Sequence, residues 1–403
     1  MSSRLNNIKD HVTGQSQATV KGTSPDDVVI VAAYRTAIAK AFKGGFREMP
    51  SDQLLYEFLV KFFEKVDVDK KLIQEVTCGN VLNLGAGANE HRAACLAAGV
   101  PFNVPFMALN RQCSSGLTAV NDVANKIKVG QINIGLALGV ESMSVNYTRM
   151  NFDHTSPDLQ ENKEARKCYI PMGITNENIA KAFKIPRSVQ DEFAADSYKK
   201  AEEAVKNGLF QEEILPITNP DGKVINTDEG PRKGVTAESL GKIRPAFIPE
   251  KGVTTAGNAS QVSDGAAGVL LARRSVAEKL GLPILGKYVA FQAVGVPPEI
   301  MGVGPAYAIP AVLEQTGLQV SDIDIFEINE AFAGQALYCV EKLGIDKTKL
   351  NPRGGAIALG HPLGCTGARQ IATILRELQP GQIGLTSMCI GSGMGAAAVF
   401  VKE

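Results

Sequence analysis

The chain has 403 residues, enough for roughly two or three domains and a large apolar core. Its 42 basic residues balance 42 acidic ones, which argues against a nucleic-acid binder driven by net charge and leaves room only for a local patch facing an anionic ligand. Seven scattered cysteines, an odd number in a chain too large to need staples, read as free thiols in a reducing compartment.

Residues 1–27 are polar and precede the first buried-strand signal, Val28-Val29-Ile30-Val31-Ala32-Ala33. Within this tail Arg4, Leu5, Ile8, His11 and Val12 fall at helical spacing, so a short helix would gather an Arg, a His and three apolar groups on one face. The tail lacks the apolar core of a secretory signal, and no uncharged apolar run in the chain approaches the roughly 18 residues of a membrane span.

From residue 28 to about 145, apolar runs alternate with helical patterns and end in Ile134-Gly135-Leu136-Ala137-Leu138-Gly139-Val140; this predicts an α/β unit with buried parallel strands. From about 146 to 251 the texture is polar and charged, with few strand signals. Its clear helix is predicted to open at Ser188, with Asp191 three residues on, and to stop at Asn207-Gly208. A second α/β texture resumes near Thr254 and runs to the C-terminus, so the layout is two similar halves with an insertion.

One strand-turn-helix unit is used twice. Asn110-Arg111-Gln112-Cys113-Ser114-Ser115-Gly116 precedes the helical pattern Leu117, Val120, Val123, Ala124, Ile127, and Gly360-His361-Pro362-Leu363-Gly364-Cys365-Thr366-Gly367 precedes Ile371, Ile374, Leu375, Leu378. The spacing from Gly116 to Gly130-Gln131-Ile132 recurs from Gly367 to Gly381-Gln382-Ile383. A cysteine in one copy and a histidine in the other suggest a nucleophile and its base.

Cys113, just before a helix, would meet unpaired N–H groups and the positive helix end, and a nearby imidazole would activate it further. Of the four histidines, His361 is the candidate base: Pro362 biases it away from helical backbone and Gly360 permits a tight turn beside it. His91 and His154 read as structural. Cys389 ends the strand Ile383–Met388 and opens Gly391-Ser392-Gly393-Met394-Gly395, which exposes a thiol and backbone N–H groups, although a Gly-rich hairpin turn would look the same. Asn329 follows the strand Ile323–Ile328, where its amide could hold a water or an oxyanion or simply cap a helix.

Together, Asn110 to Gly116, Asn329 to Phe332, Asn351 to Gly364 and Cys389 to Gly395 resemble the thiolase family, the acetyl-CoA C-acyltransferases, over nearly all of residues 28–403. The resemblance implies a duplicated five-layered α-β-α-β-α fold with a loop domain: residues 28–145 plus 252–283 as one half, 146–251 as the loop domain and 284–403 as the other half. It implies thiolytic cleavage of 3-ketoacyl-CoA to acetyl-CoA and a shortened acyl-CoA, with coenzyme A as cosubstrate and no permanently bound cofactor or metal. Cys113 would carry the acyl group, and His361 would activate that thiol. With a water on Asn329, His361 would also stabilise the enolate, while Cys389 would move protons to and from the departing and incoming groups. The N–H groups of Cys113 and Gly391 would form an oxyanion hole.

By the same resemblance Ser260 would contact the pantetheine arm and Met172 the pocket wall. Pro171 stands where short-chain synthetic members usually have His, which favours a degradative enzyme. Arg4-Leu5, five intervening residues and His11-Val12 resemble the second type of peroxisomal targeting signal, with Val12 departing from the commoner Leu or Ala; this implies a peroxisomal location and an import-receptor partner. A homodimer is expected, without nucleic acid or membrane span. An acetoacetyl-CoA-specific enzyme is the alternative within the class; a non-catalytic lipid binder or a cysteine hydrolase would not call for Cys113, His361 and Cys389 together.

Overall fold

The computed structural model describes residues 20–147 and 156–403. Arg4, Leu5, His11, Val12 and His154 lie outside the described residues. The longer strands are β1 (Val28–Arg35), β2 (Val76–Gly79), β3 (Phe106–Leu109), β4 (Ile134–Ser142), β5 (Ser263–Arg273), β6 (Gly286–Gly295), β7 (Ile325–Ile328), β8 (Ile383–Ile390) and β9 (Met394–Lys402). The longer helices are α1 (Ser51–Lys65), α2 (Ala88–Ala97), α3 (Ser115–Lys128), α4 (Met172–Ala182), α5 (Arg187–Lys206), α6 (Gly304–Thr316), α7 (Ala333–Leu343) and α8 (Leu363–Glu377).

The strands run in the order β7-β8-β9-β6-β1-β5-β4-β2-β3. Only three residue pairs, Val28–Ile30 with Gly286–Tyr288, join β1 to β6 at the centre, so the sheet is two sheets meeting at a seam. Each half repeats one scheme. β1 is antiparallel to β5, β5 antiparallel to β4, and β4 parallel to β2, which is parallel to β3. Likewise β6 is antiparallel to β9, β9 antiparallel to β8, and β8 parallel to β7, beside which Leu350 makes a parallel bridge to Phe326 where the first half has β3.

The expectation of parallel strands holds within residues 28–145, where β1 to β4 all run one way, but both sheets are mixed, because β5 lies antiparallel between β1 and β4 and β9 antiparallel between β6 and β8. Strands buried on both faces, such as β4 with no exposed residue, carry continuous apolar runs whichever way they point. Direction is set by connection, and β5 returns antiparallel after the long excursion that follows β4.

Residue pattern explains the layers. α1 buries one stripe, Leu54, Leu55, Phe58, Leu59 and Phe62, and covers the outer face of the first sheet together with α2. α6 and α7 cover the outer face of the second through Ile309, Val312, Leu313 and Val340. α3 and α8 lie between the sheets, packed on Val28, Ile30, Val269, Met388 and Phe400, and α8 is buried without a break from Gly364 to Leu375. The result is α-β-α-β-α.

Gly116 and Gly367, equivalent in the two copies, form the contact between the central helices. A Cβ on Gly367 would lie 2.2 Å from the Leu117 nitrogen, and one on Gly116 would lie 2.6 Å from the Gly364 oxygen. After each helix the chain turns at a glycine of nearly equal φ, +79° at Gly130 and +81° at Gly381.

Between β4 and β5, α4 and α5 pack beside the second half. α5 begins at Arg187 after Pro186 with no side-chain cap, one residue earlier than expected, and Arg187 Nε reaches Asp191 Oδ2 at 2.6 Å. It stops at Asn207, followed by Gly208 at φ +68°. A buried ion cluster ties this excursion to both halves. Arg35 donates to Glu213 at 2.6 Å and to both Asp228 oxygens at 2.7 and 2.9 Å, while Arg353 pairs with Glu213 and Glu377. Among the described residues no helix is long and apolar enough to cross a membrane.

Candidate active site

The turn after β3 puts Cys113 at the mouth of α3. Asn110 Oδ1 accepts the Gln112 N–H at 2.9 Å, and Ser115 Oγ both donates to the Gln112 carbonyl at 2.7 Å and accepts the Arg111 N–H at 2.9 Å. These bonds hold Gln112 at φ +47°, a left-handed backbone unusual for a side chain that is not glycine. The turn aims the Cys113 sulfur inward, where it is 9% exposed.

Burial pushes the Cys113 thiol up to about 11. The N–H of Gly391 and its own N–H reach the sulfur and pull the value back, while the Glu141 charge adds to the rise. Without substrate Cys113 is thus a neutral thiol, although two backbone donors bear on it.

Gly391 belongs to the β8–β9 hairpin turn, kept by Ser392 at φ +65° and Gly393 at φ +93°. A Cβ on Gly391 would stand 3.5 Å from Met172 Sδ and 3.7 Å from Gln112 Cγ, so it fills the gap between the pocket wall and the nucleophile turn. Cys389, on β8, is fully buried against Met301, Ala331, Phe332, Met172 and Ala259. Burial first, and then the neighbouring Cys113 and Cys339, push its thiol well up. Ionisation of Cys113 thus opposes that of Cys389.

His361 enters from the second copy of the repeated unit. Gly360, at φ +112°, has no room for a Cβ, which would fall 2.2 Å from Ser263 Oγ, and the His361 N–H donates to the Gln261 carbonyl at 3.0 Å. Thr366 Oγ1 donates to the Pro362 carbonyl at 3.0 Å and lies 2.6 Å from His361 Nδ1. With its single proton committed to that carbonyl, the hydroxyl accepts from Nδ1–H, and Nε2 keeps the lone pair. Burial first, and then Arg369, depress His361 to about 3, so the ring is neutral. This is the form in which a base can take a proton from a thiol.

Asn329 stands at the end of β7 with Nδ2 3.3 Å from His361 Nε2. Asn351 clamps that strand end, accepting from the Ile328 N–H and donating to the Ile328 carbonyl and to Glu330 Oε1. Asn329 Oδ1 is buried with no hydrogen-bond partner among the described residues, which fits an atom that receives a water or substrate. Ser260 is half-buried; its N–H donates to the Ala331 carbonyl at 2.9 Å, so the segment carrying it lies along the Asn329–Phe332 turn.

All the candidates outside the tail are thus brought to one place, with Ser260 and Met172 on the side of the intervening segment. The two reactive side chains are not equivalent, however: in the repeated register Cys113 matches Gly364, and His361 matches Asn110. His91 is structural as expected, buried between Ser51 Oγ at 2.9 Å and the Ala86 carbonyl at 3.2 Å. All seven cysteines are free. Sequence reasoning missed Met301 and Thr366; Met301 carries no local signal, and Thr366 could have been found only from its place one helical turn past His361.

Residues 28–275 match the thiolase N-terminal domain family and residues 282–402 the thiolase C-terminal domain family. The chain belongs to the thiolase family. It is 68% identical to the peroxisomal 3-ketoacyl-CoA thiolase of Saccharomyces cerevisiae over the full length of both chains. It is 52% identical to 3-ketoacyl-CoA thiolase B, peroxisomal, of Rattus norvegicus over 98% of each. The crystal structure of the dimeric peroxisomal thiolase of S. cerevisiae superposes with a TM-score of 0.94 at 70% identity, covering 95% of this chain and 99% of that one. A second S. cerevisiae thiolase structure, TM-score 0.83, is described as five-layered and built from two core domains of identical topology, the arrangement found above for this thiolase. Human mitochondrial 3-ketoacyl-CoA thiolase in complex with CoA superposes with a TM-score of 0.84 at 34% identity, covering 94% of this chain and 98% of that one.

Proposed function

We propose that the chain is a peroxisomal 3-ketoacyl-CoA thiolase of fatty acid β-oxidation, cleaving 3-ketoacyl-CoA with CoA to acetyl-CoA and an acyl-CoA shortened by the acetyl unit. One observation carries the reading. A thiol on which two backbone N–H groups bear, Cys113 with its own and that of Gly391, adjoins a second buried thiol, Cys389, which packs against the Asn329–Phe332 turn where a neutral imidazole pairs with an amide.

The proton on Cys113 passes to His361 Nε2 as the sulfur attacks the 3-keto carbon. The resulting alkoxide sits where the N–H groups of Cys113 and Gly391 converge. Collapse breaks the C2–C3 bond and leaves the electron pair on C2 as the acetyl-CoA enolate, whose oxygen is met by His361 and by a water on Asn329. Cys389 gives its proton to C2, and acetyl-CoA departs. The Cys389 thiolate then takes the proton of the incoming CoA thiol, and CoA attacks the acyl-Cys113 thioester. A second tetrahedral alkoxide forms in the same hole, Cys113 is expelled, and the proton held by His361 returns to it.

Two thiols are needed because the reaction makes a covalent thioester and also moves protons at carbon and sulfur. A cysteine hydrolase needs only the first.

Ser260 and Met172 line the entry for the pantetheine arm, and the CoA complex of the human relative supports CoA as cosubstrate. The dimeric S. cerevisiae relative supports a homodimer. Loop-domain boundaries near 146 and 251 agree with the excursion between β4 and β5. Arg4, Leu5, His11 and Val12 form the address read by the import receptor, in keeping with the peroxisomal relatives. Thiolysis rates on a 3-ketoacyl-CoA series from four to sixteen carbons test the function; activity confined to acetoacetyl-CoA would replace it with the short-chain alternative.

A further inference from the structure

Glu141 is a fully buried carboxylate to which the proposed mechanism gives no part. It sits near the end of β4, and four N–H groups converge on it. Oε1 accepts from Asn80 Nδ2 at 3.0 Å and from the Leu82 N–H at 3.1 Å; Oε2 accepts from the Val81 and Gly364 N–H groups, both at 3.0 Å. No cation pairs with it among the described residues.

Three of these donors come from the Asn80–Leu82 turn and one, Gly364, from the segment that carries His361. The Asn80 N–H donates to the Leu109 carbonyl at 3.1 Å, and Asn110 Nδ2 donates to the Val81 carbonyl at 3.0 Å, so the Asn80–Leu82 turn holds the end of β3 from which the Cys113 turn springs. Gly364 lies three residues after His361, at the first turn of α8. Its backbone is pressed against the first half: a Cβ there would fall 2.7 Å from the carbonyls of Gly79 and Val140. One side chain therefore joins the nucleophile's half to the base's half. Four converging donors call for an acceptor-only group with about four lone-pair sites, which a carboxylate has and an amide has not.

We propose that Glu141 is a positioning residue for the thiolase reaction, its carboxylate fixing the His361 loop against the Cys113 turn across the boundary between the two halves. The inference rests on the reading of Cys113 and His361 as nucleophile and base. A second effect follows from its charge. Cys113 feels Glu141 and neighbours Cys389, while Glu141 itself bears on Cys78, Cys113 and Cys365. The carboxylate thus opposes a free thiolate at Cys113 and favours a thiol that loses its proton only to His361 at the moment of attack. Burial raises Glu141 to about 7 while the four donors pull it down, so above neutral pH it is ionised.

The test compares the full-length wild type with Glu141→Gln, Glu141→Asp and Asn80→Ala. Steady-state thiolysis is measured alongside the rate of Cys113 alkylation by iodoacetamide from pH 6 to 11. Glu141→Gln is expected to lower kcat by about 100-fold, the scale of an ångström-sized misplacement, with KM for CoA little changed. Its alkylation profile moves to lower pH, because a negative charge near the thiol has gone; relief of burial in a loosened fold would move it the same way, but would do so in Glu141→Asp as well. Glu141→Asp keeps the charge and the wild-type alkylation profile.

Asn80→Ala removes one donor and leaves the carboxylate, so it serves if the Gln variant does not fold; its kcat falls by a smaller factor. Wild-type kcat and an unmoved profile in Glu141→Gln, or wild-type kcat in Asn80→Ala where the Gln variant cannot be made, would overturn the inference. In the same assay His361→Ala must lose at least about 100-fold in kcat; if it does not, the assignment of the base has failed, and this inference with it.

Discussion

The Nδ1 of His361 lies 2.6 Å from Thr366 Oγ1, and that hydroxyl gives its own proton to the Pro362 carbonyl. One turn of α8 thereby chooses the tautomer of a base that acts through its opposite nitrogen. Thr366→Val keeps the shape but removes the acceptor, freeing the ring to place its proton on Nε2. We expect kcat to fall roughly 10- to 100-fold with KM little changed, and Thr366→Ser to restore most of it. Equal losses in the Val and Ser variants would show that packing, not the hydroxyl, is at stake.

Cys113→Ser tests the covalent step. Mixing the wild type with a 3-ketoacyl-CoA in the absence of free CoA should add the mass of one acyl group to the intact protein, and the variant should add none. Turnover should fall by at least about 1,000-fold, since the hydroxyl proton is far harder for a neutral imidazole to remove.

Cys389→Ser separates proton transfer from acyl transfer. The variant keeps the Cys113 sulfur and both backbone donors, so an acyl group still loads from a good thioester. Exchange of the acetyl-CoA methyl protons with deuterated water, which needs the second thiol, should drop by about 100-fold or more. Undiminished exchange would remove Cys389 from the proton path.

The pH dependence of Cys113 alkylation follows from its surroundings. Burial raises the thiol to about 11, so between pH 7 and 10 the group is almost wholly protonated and the reactive thiolate grows about tenfold per pH unit. The iodoacetamide rate should climb steadily across that range. A plateau near pH 7 would mean that a stable thiolate–imidazolium pair exists before substrate arrives.

Arg35 tests the cohesion of the halves. It is fully buried and serves Glu213 and Asp228 together, so Arg35→Ala strands Asp228 in the core and leaves Glu213 the longer ion pair with Arg353 at 3.5 Å. A loss of about 3–5 kcal/mol is expected, measured by denaturant unfolding. Arg35→Lys should recover little of it, because an ammonium cannot donate to both Asp228 oxygens and Glu213 with the same fork.

The candidate residues were legible in the sequence because they stand in local segments. The glycines around His361, the polar turn ahead of Cys113 and the glycines after Cys389 are each dictated by backbone needs within a few residues, and the repeated spacing from Gly116 and Gly367 announced the duplication. The antiparallel return of β5 was not legible, since β4 and β5 are apolar on both faces and read alike either way. Nor was the offset between the copies, by which Cys113 corresponds to Gly364 and not to His361.

What only the tertiary structure decided are contacts between segments hundreds of residues apart. The bond from Gly364 to Glu141, the press of Gly367 on Leu117 and the N–H of Gly391 on the Cys113 sulfur arise from packing α3 and α8 between the sheets. Packing is set by the summed fit of many side chains, and no local pattern records it. The sequence by itself singled out Cys113, His361, Cys389 and Asn329 as the candidates. Folding decided how they face one another, and with that which atoms carry protons.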